Sequence, residues 1–159
     1  MGRLPVALLC ALLLLTAWAG CGDDSGDESL SKRERQQAAY EEQRAAYVEE
    51  ADARCRRITE RIEGELEPYR RRLDASSSAA ASAKFVAAMA PRVEYEVRAI
   101  RILVLPQRDV EEVLAFLSAW VDEVHEAKRD PVAFVEGGQS FPEAVKLARR
   151  FGFEYCGTF

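Results

Sequence analysis

The spacing of apolar residues between positions 40 and 73 constrains the fold more than any other feature of this sequence. After a first step of seven, the steps are three or four residues, through Tyr40, Tyr47, Ala51, Cys55, Ile58, Ile62, Leu66, Tyr69 and Leu73. This period places the apolar residues on one face of a long helix. Gly64 and Pro68 are expected to weaken or kink that helix near its end.

A second helix is predicted from about residue 79 to residue 105. Its apolar face consists of Phe85, Met89, Val93, Val97, Ile100 and Val104. Pro91 lies inside this pattern and is expected to kink the helix. Pro106 is expected to end it, because proline cannot continue a helical hydrogen-bond ladder.

A third helix is predicted to follow Asp109 and to fade at Lys128-Arg129. Asp109 and Glu112 have the spacing of a capping box, with Asp in place of Ser or Thr. The apolar stripe of this helix consists of Val110, Val113, Leu117, either Trp120 or Val121, and Val124.

The region after residue 129 is predicted to hold a short helical segment and then a last helix. Asp130-Pro131 opens the short segment with proline at the first helical position, and Gly137-Gly138 ends it. Ser140 and Glu143 have the spacing of a second capping box, and Gly152 supplies a C-terminal stop. The inward face of the last helix would carry Phe141, Val145, Ala148 and Phe151.

No segment alternates apolar and polar residues in the way that predicts a strand. The sequence therefore predicts an all-α fold. Four apolar faces joined by short connections favour an antiparallel, four-helix-like bundle. Whether the last helical region is one helix or two stays open at this point.

The first twenty residues have the order of a cleavable secretory signal. Arg3 is the positive residue, the run from Leu4 to Trp18 is apolar apart from Thr16, and Ala19-Gly20 precedes Cys21. The apolar run is too short for a transmembrane helix. Ala19-Gly20-Cys21 resembles the bacterial lipobox, in which the cysteine is acylated, although Trp18 replaces the usual leucine; an ordinary signal with a chance cysteine is the alternative.

These signals predict four parts of the chain. Residues 1–20 form the lipoprotein signal, and residues 21–31, rich in Gly, Ser and Asp, form a flexible acidic tether. Residues 32–50 form a solvated helical stalk, and residues 51–159 form the bundle domain. A heptad-like recurrence of Ala-Ala-Tyr at 38–40 and 45–47 has too few copies for a coiled coil. Lipid on Cys21 would place the domain on the extracytoplasmic face of the cell membrane.

Two cysteines remain once Cys10 leaves with the signal and Cys21 is acylated. Cys55 and Cys156 form an even pair in an exported, oxidising setting, so a disulfide between them is predicted. It would join the core face of the first helix to the segment after the last helix. Two free thiols or a metal pair are the alternatives, and zinc lacks the further His or Cys ligands that it needs.

Charge argues against one class of partner. Loss of Arg3 with the signal changes the formal charge from −5 to −6. Proteins that bind nucleic acid usually carry a basic patch and a high pI, so no nucleic-acid partner is expected.

From about Ala51 onward, over roughly two thirds of its length, the chain resembles a recurrent helical domain of actinobacterial lipoproteins that has no known activity. The residues that carry the resemblance are Pro91, Leu105-Pro106, the run Ala51-Asp52-Ala53-Arg54-Cys55, and the run Arg150-Phe151-Gly152-Phe153-Glu154-Tyr155-Cys156-Gly157. The resemblance implies a disulfide-closed helical bundle. The interruption at Gly137-Gly138 departs from it.

No motif for nucleophilic catalysis, phosphate binding or zinc binding occurs in the sequence. His125 is the only histidine, and a di-iron site would need two such residues with several carboxylates. We therefore expect a surface histidine, no catalytic residue, no metal and no cofactor. Phe153, Tyr155 and Phe159 are expected to cover the bundle end beside the disulfide; exposed together, they would be a first contact surface.

Arginines cluster at positions 54, 56, 57 and 61 and at 70–72, beside glutamates at 60, 63, 65 and 67. Mixed charge at helical spacing stabilises an exposed helix, and a patch for an acidic partner is the second interpretation. The sequence predicts a non-catalytic interaction or scaffolding domain with an envelope protein as a possible partner. The alternative is a binding protein for a small apolar ligand between helices, near Pro91 and Gly137-Gly138, in a pocket lined by Phe, Met and Trp120. Partner, ligand and oligomeric state are not fixed by sequence.

Overall fold

The computed structural model describes the backbone of residues 25–158 and the side chains from residue 31. Over that range the chain forms five helices and no strand, which confirms the all-α class. The helices are α1 (Ser25–Ala75), α2 (Ala79–Arg101), α3 (Val110–Arg129), α4 (Pro131–Glu136) and α5 (Pro142–Phe151). The last helical region is therefore two helices.

Helices α1 and α2 run antiparallel, because their contacts pair residues in opposite order. Arg54 contacts Ala99, Thr59 contacts Glu96, and Glu65 contacts Arg92. Helices α3 and α5 are also antiparallel, since Glu112 pairs with Arg150 and Glu123 bonds Ala144. Helix α3 further packs against α2 and α4. The four-helix-like order of the whole domain stays a prediction.

The core is built from the predicted apolar stripes. Its largest completely buried side chains are Trp120, Phe85, Phe116, Phe141, Phe151, Ile62, Leu66, Met89 and Ile100. On α3 it is Trp120 that is buried, whereas Val121 is only partly buried. On α5, Ala144 is buried in the turn where the sequence predicted Val145, which is partly buried.

Helix α2 ends at Arg101, four residues before the predicted end. The ring of Pro106 would clash with the carbonyl of Ile102, four residues earlier, and Leu105 is disfavoured in helical geometry because it precedes proline. These effects exclude a helix that continues through residue 105; α2 ends earlier still, with Ile102 as its C-cap residue. As a result Val104, predicted on the buried face, is 82% exposed. The helix runs through Pro91 without ending.

Neither predicted capping box forms. Asp109 precedes α3 but makes no side-chain bond to the helix; its carboxylate instead accepts a hydrogen bond from Tyr40 of α1. Phe141, not Ser140, is the cap residue of α5. The first N–H groups of α5 donate to the Glu123 carboxylate of α3, at 3.0 and 2.9 Å. A tertiary partner thus replaces the local cap of α5, and a carboxylate suits the positive end of a helix.

The first part of α1 differs from the predicted tether and stalk. Residues 25–31 are helical, where the sequence predicted a flexible segment. The compact unit of the domain begins at Gln36, and residues up to Arg35 form a separate unit. Tyr47, predicted in the stalk, is 4% exposed, because it lies on the same helix face as Ala51 and Cys55. Residues from about 36 onward therefore take part in the domain.

The predicted signal peptide (residues 1–20) and Cys21 lie outside the described residues. Among the helices that are described, none is long and apolar enough to span a bilayer.

Candidate functional site

The chain end is fastened to α1 by the predicted disulfide. Cys55 and Cys156 are joined, with Cα atoms 5.2 Å apart and a sequence separation of 101. Both are almost completely buried. The disulfide prediction is confirmed.

Asp52, one helical turn before Cys55 on α1, binds the same C-terminal segment. Its carboxylate accepts hydrogen bonds from three consecutive backbone N–H groups, those of Glu154 (2.8 Å), Tyr155 (3.0 Å) and Cys156 (3.1 Å). These groups belong to an irregular segment after α5 and would otherwise need water as a partner. We call Asp52, Cys55 and residues 152–157 the C-terminal clamp.

The clamp also needs two glycines. Gly152 has φ +109° at the end of α5, and Gly157 has φ +80°. A Cβ on Gly157 would lie 3.3 Å from the ring of Phe116 and from the Cβ of Ala148. The chain end therefore returns against α3 and α5 at a place where a side chain would be both crowded and strained by the positive φ.

A surface groove lies between α1 and α2. Its volume is about 520 Å³, within the range of ligand-binding pockets. We call it the arginine groove, and its lining consists of Arg54, Arg57, Ile58, Arg61, Tyr95, Arg98, Ala99 and Ile102. The α1 members and the α2 members each recur at helical spacing, so two helix faces form its walls.

The four arginines of the groove differ in how they are held. Arg54 donates to the carbonyl of Ala99 at 3.0 Å, near the C-terminal end of α2, and pairs with Glu50. The guanidinium of Arg61 lies over the Tyr95 ring, 5.5 Å from its centre. Its ion pair with Glu65 is weak, because the two side chains are 4.0 Å apart and Glu65 lies 2.7 Å from Arg92.

Arg57 and Arg98 are the open charges of the groove. Both are exposed, and neither makes an ion pair with any residue in the described part of the chain. Each can therefore bind an anion without first giving up a protein partner.

Apolar groups accompany these charges. Tyr95 is 48% exposed and Ile102 is 77% exposed, whereas Ile58 is buried and Ala99 is partly buried on the floor. A large exposed aliphatic residue beside an exposed tyrosine and four arginines is typical of a contact surface, because Tyr and Arg are enriched where proteins bind.

Glu96 is a second unusual feature of the α1–α2 contact. Its side chain is completely buried, one oxygen accepts a weak bond from Thr59 at 3.3 Å, and the other has no partner among the described residues. Burial raises the pKa of Glu96 to about 8, opposed by the Thr59 hydrogen bond. The carboxyl is therefore mostly protonated at neutral pH.

A polar cluster joins α1 to the start of α3. Tyr40 donates to Asp109 at 2.6 Å, Arg44 lies 3.6 Å from the same carboxylate, and Arg44 also donates to the Phe151 carbonyl. The hydrogen bond to Asp109 raises the pKa of Tyr40. These side chains bind one another and connect the helices. The charges of Arg44 and Asp109 are therefore paired within the protein.

The other residues singled out in the sequence lie as follows. His125 is exposed, as predicted. No group of three or more potential metal ligands occurs among the described residues. Phe153 is buried beside the disulfide, Tyr155 is 42% exposed under the guanidinium of Arg56, and Phe159 lies outside the described residues.

The apolar-ligand alternative stays a prediction. Trp120, the residue named for that pocket, is completely buried in the core, as are Phe85 and Met89. Two grooves of the described surface have a phenylalanine in their lining, Phe151 in one and Phe134 in the other.

The sequence analysis missed Asp52 and Glu96 as individual residues. Glu96 could have been found, because Met89, Val93, Glu96 and Ile100 form an unbroken stripe with steps of four, three and four. Asp52 gave no such signal, since its partners are backbone groups about 100 residues away. The arginines of α1 were noted, but their union with Tyr95, Arg98 and Ile102 required the helix pairing.

In comparisons with known proteins, no protein family, no curated protein and no solved structure matches this chain.

Proposed function

We propose that this protein is a non-catalytic interaction module, held on the extracytoplasmic face of a membrane by lipid on Cys21, and that the arginine groove is its contact surface. The observation that carries the proposal is the pair of unpaired arginines, Arg57 and Arg98, beside exposed Tyr95 and Ile102. An arginine without an ion-pair partner can bind an anion without breaking an existing pair, so binding costs only the desolvation and ordering of its side chain.

The rest of the domain supports this role by its rigidity. The clamp and the disulfide fix α1 to the chain end, and Arg54 fixes α1 to α2. A groove walled by two packed helices keeps its shape, so a partner loses little free energy in ordering it.

Anchoring is proposed from the order of residues 1–21. Acylation of Cys21 would hold the domain at the membrane, since each buried CH₂ contributes about 0.8 kcal/mol. The test is fractionation and intact-mass analysis of the protein expressed with its own leader, beside Cys21→Ser. We expect a lipid adduct and membrane location for the unchanged chain only. An unacylated mass, or a variant that stays in the membrane, would contradict the anchor.

The groove is tested by photo-cross-linking in intact membranes. A photoreactive residue replaces Tyr95 or Ile102, and the matched control replaces Leu114, an exposed apolar residue of α3. We expect a discrete adduct of higher mass from the two groove positions and none from the control. No adduct at either groove position, or an identical adduct from position 114, would refute the groove as the contact surface.

A further inference from the structure

We infer that the arginine groove is a docking site for an acidic amphipathic helix of a partner protein. This inference deepens the proposed function, on which it rests, by naming the chemistry of the partner. It follows from the shape of the groove, the order of its side chains and the sign of its charges.

The shape is that of a slot for a helix. Helices α1 and α2 lie antiparallel along the groove; α1 contributes residues 54–61, and the other wall consists of residues 95–101 of α2 with Ile102, the residue after its end. Seven helical steps span about 10.5 Å, or two turns. A third helix can pack into the depression between two neighbours by placing its side chains between theirs.

The order of side chains is that of a helix-binding surface. On α1, Arg57 and Ile58 lie between Arg54 and Arg61. On the opposite wall, Arg98 and Ala99 lie between Tyr95 and Ile102. Each wall thus has one apolar residue and one arginine at its middle, and Tyr95 and Ile102 add exposed apolar surface at the two ends of the second wall. An incoming helix would place an apolar stripe on this floor, which is how amphipathic helices are recognised in grooves.

The charges specify acidic flanks. Arg57 and Arg98 stand on opposite walls without ion-pair partners among the described residues, and Arg61 is only loosely held by Glu65. Guanidinium groups bind carboxylates with two hydrogen bonds. Arg57 and Arg98 lie at the same level of the groove, because the α1–α2 contacts pair residue 54 with 99 and residue 59 with 96. Arg54 and Arg61 lie about one helical turn to either side. Carboxylates one turn apart on a helix therefore match more of the four arginines than one compact anion does.

The direct test titrates the folded domain with a synthetic helical peptide of about 15 residues. The peptide carries Leu at steps of three and four, with Glu beside that stripe. We expect a dissociation constant in the micromolar range, weakening with salt because the contacts are ionic. The peptide control has the same composition in scrambled order and should bind at least ten times more weakly.

The protein variants assign the binding to the groove. R57Q/R98Q should weaken binding at least tenfold, whereas R33Q/R149Q, with the same loss of charge at two exposed arginines elsewhere, should not change it. R57E/R61E/R98E, which changes the charge at the four arginine positions of the groove from +4 to −2, should instead bind a peptide whose Glu residues are replaced by Lys. Circular dichroism checks that each variant remains folded, and the charge-swapped pair keeps the test decisive if one variant binds nothing.

Several outcomes would overturn the inference. Equal binding of the scrambled peptide, or equal binding by R57Q/R98Q, would refute a groove that recognises helices. Saturable binding of pyrophosphate or of anionic vesicles, without binding of the acidic peptide, would assign the groove to another class of ligand. A groove-dependent dimer in analytical ultracentrifugation would assign it to a second copy of this chain. If no peptide binds while a photoreactive residue at position 95 still cross-links a partner, the proposed function stands and only the inference of a helical partner is refuted.

Discussion

The C-terminal clamp and the arginine groove both use residues of α1 that are only a few positions apart. They differ in whether their polar side chains have partners within the protein. In the clamp, Asp52 meets three N–H groups and Cys55 is bonded to Cys156. In the groove, Arg57 and Arg98 meet no counter-ion in the described chain. The clamp uses its polar groups to hold the fold, whereas the groove leaves them free for another molecule.

A single helix can thus contribute to stability through one face and to binding through another. Hydrogen bonds to a charged group stabilise by about 1.5–3 kcal/mol each when the partners are fixed by the fold. Exposed, unpaired charges contribute little to stability. Variants in the two regions should therefore separate stability from binding.

The largest effect is expected from the disulfide. C55A/C156A should lower the free energy of unfolding by up to about 4.7 kcal/mol, because the bond closes a loop of roughly 100 residues in the unfolded chain. The expected fall in Tm, measured by circular dichroism, is about 10 °C or more. A reductant should lower the Tm of the unchanged protein and leave the double variant unaffected. An unchanged Tm in the double variant would show that the bond does not hold the fold.

Substitution of Asp52 should cause the next largest loss of stability. Asp52→Ala removes the acceptor of three backbone N–H groups and should lower the free energy of unfolding by about 2 kcal/mol, discounted because the site is partly exposed. Hydrogen exchange should speed up at residues 154–156 before it does elsewhere. The matched control is Asp122→Ala on the exposed face of α3. Equal loss of stability in both variants would show that the hydrogen bonds of Asp52 to residues 154–156 do not stabilise the fold.

Glu96 should make stability depend on pH. Its pKa is about 8 in the folded protein and near 4.5 when unfolded, so between those values only the folded state keeps the proton. The free energy of unfolding should therefore fall as pH rises from 4.5 to 8, by up to about 1.4 kcal/mol per pH unit.

Glu96→Gln should remove that slope, because the amide cannot ionise. Urea unfolding at pH 5, 6, 7 and 8 measures it. The variant should match the unchanged protein near pH 5 and exceed it increasingly above pH 6. Parallel stability curves for the two proteins over this range would refute the shifted carboxyl.

The smallest effect on stability is expected in the groove itself. R57Q/R98Q should change the free energy of unfolding by less than about 0.5 kcal/mol, since both side chains are exposed and unpaired. Urea unfolding beside R33Q/R149Q checks this. A loss as large as that of Asp52→Ala would mean that these arginines belong to the fold, and the contrast with the clamp would fail.

Much of the fold could be predicted from local pattern. The apolar stripes gave the helices, Pro131 and Gly137-Gly138 separated α4 from α5, and the pair of cysteines gave the disulfide. These features depend on residues close in sequence or on the cysteine count. The capping boxes failed because Asp109 and the N-terminus of α5 found better partners in α1 and α3. A local motif cannot report such competition.

The candidate site was predictable only in part. Arg54, Arg57 and Arg61 were recognisable as a cluster of charge, but helical mixed-charge pairing explained them equally well. Glu50–Arg54 and Arg61–Glu65 do form such pairs. Arg57 differs from Arg54 and Arg61 in having no carboxylate partner in the described chain, and it differs from Arg56, which is also without one, in lining the groove. That property depends on every neighbouring helix.

By itself the sequence determined the helical class, the main apolar faces and the cysteine pair, because helical period and thiol count are readable along the chain. Only the tertiary structure decided which faces meet. It placed Asp52 under the chain end, buried Glu96 against Thr59, and brought Arg98, Tyr95 and Ile102 opposite the arginines of α1. The physical reason is that burial and charge pairing arise between residues distant in sequence, and the packing of the helices fixes which of them are neighbours.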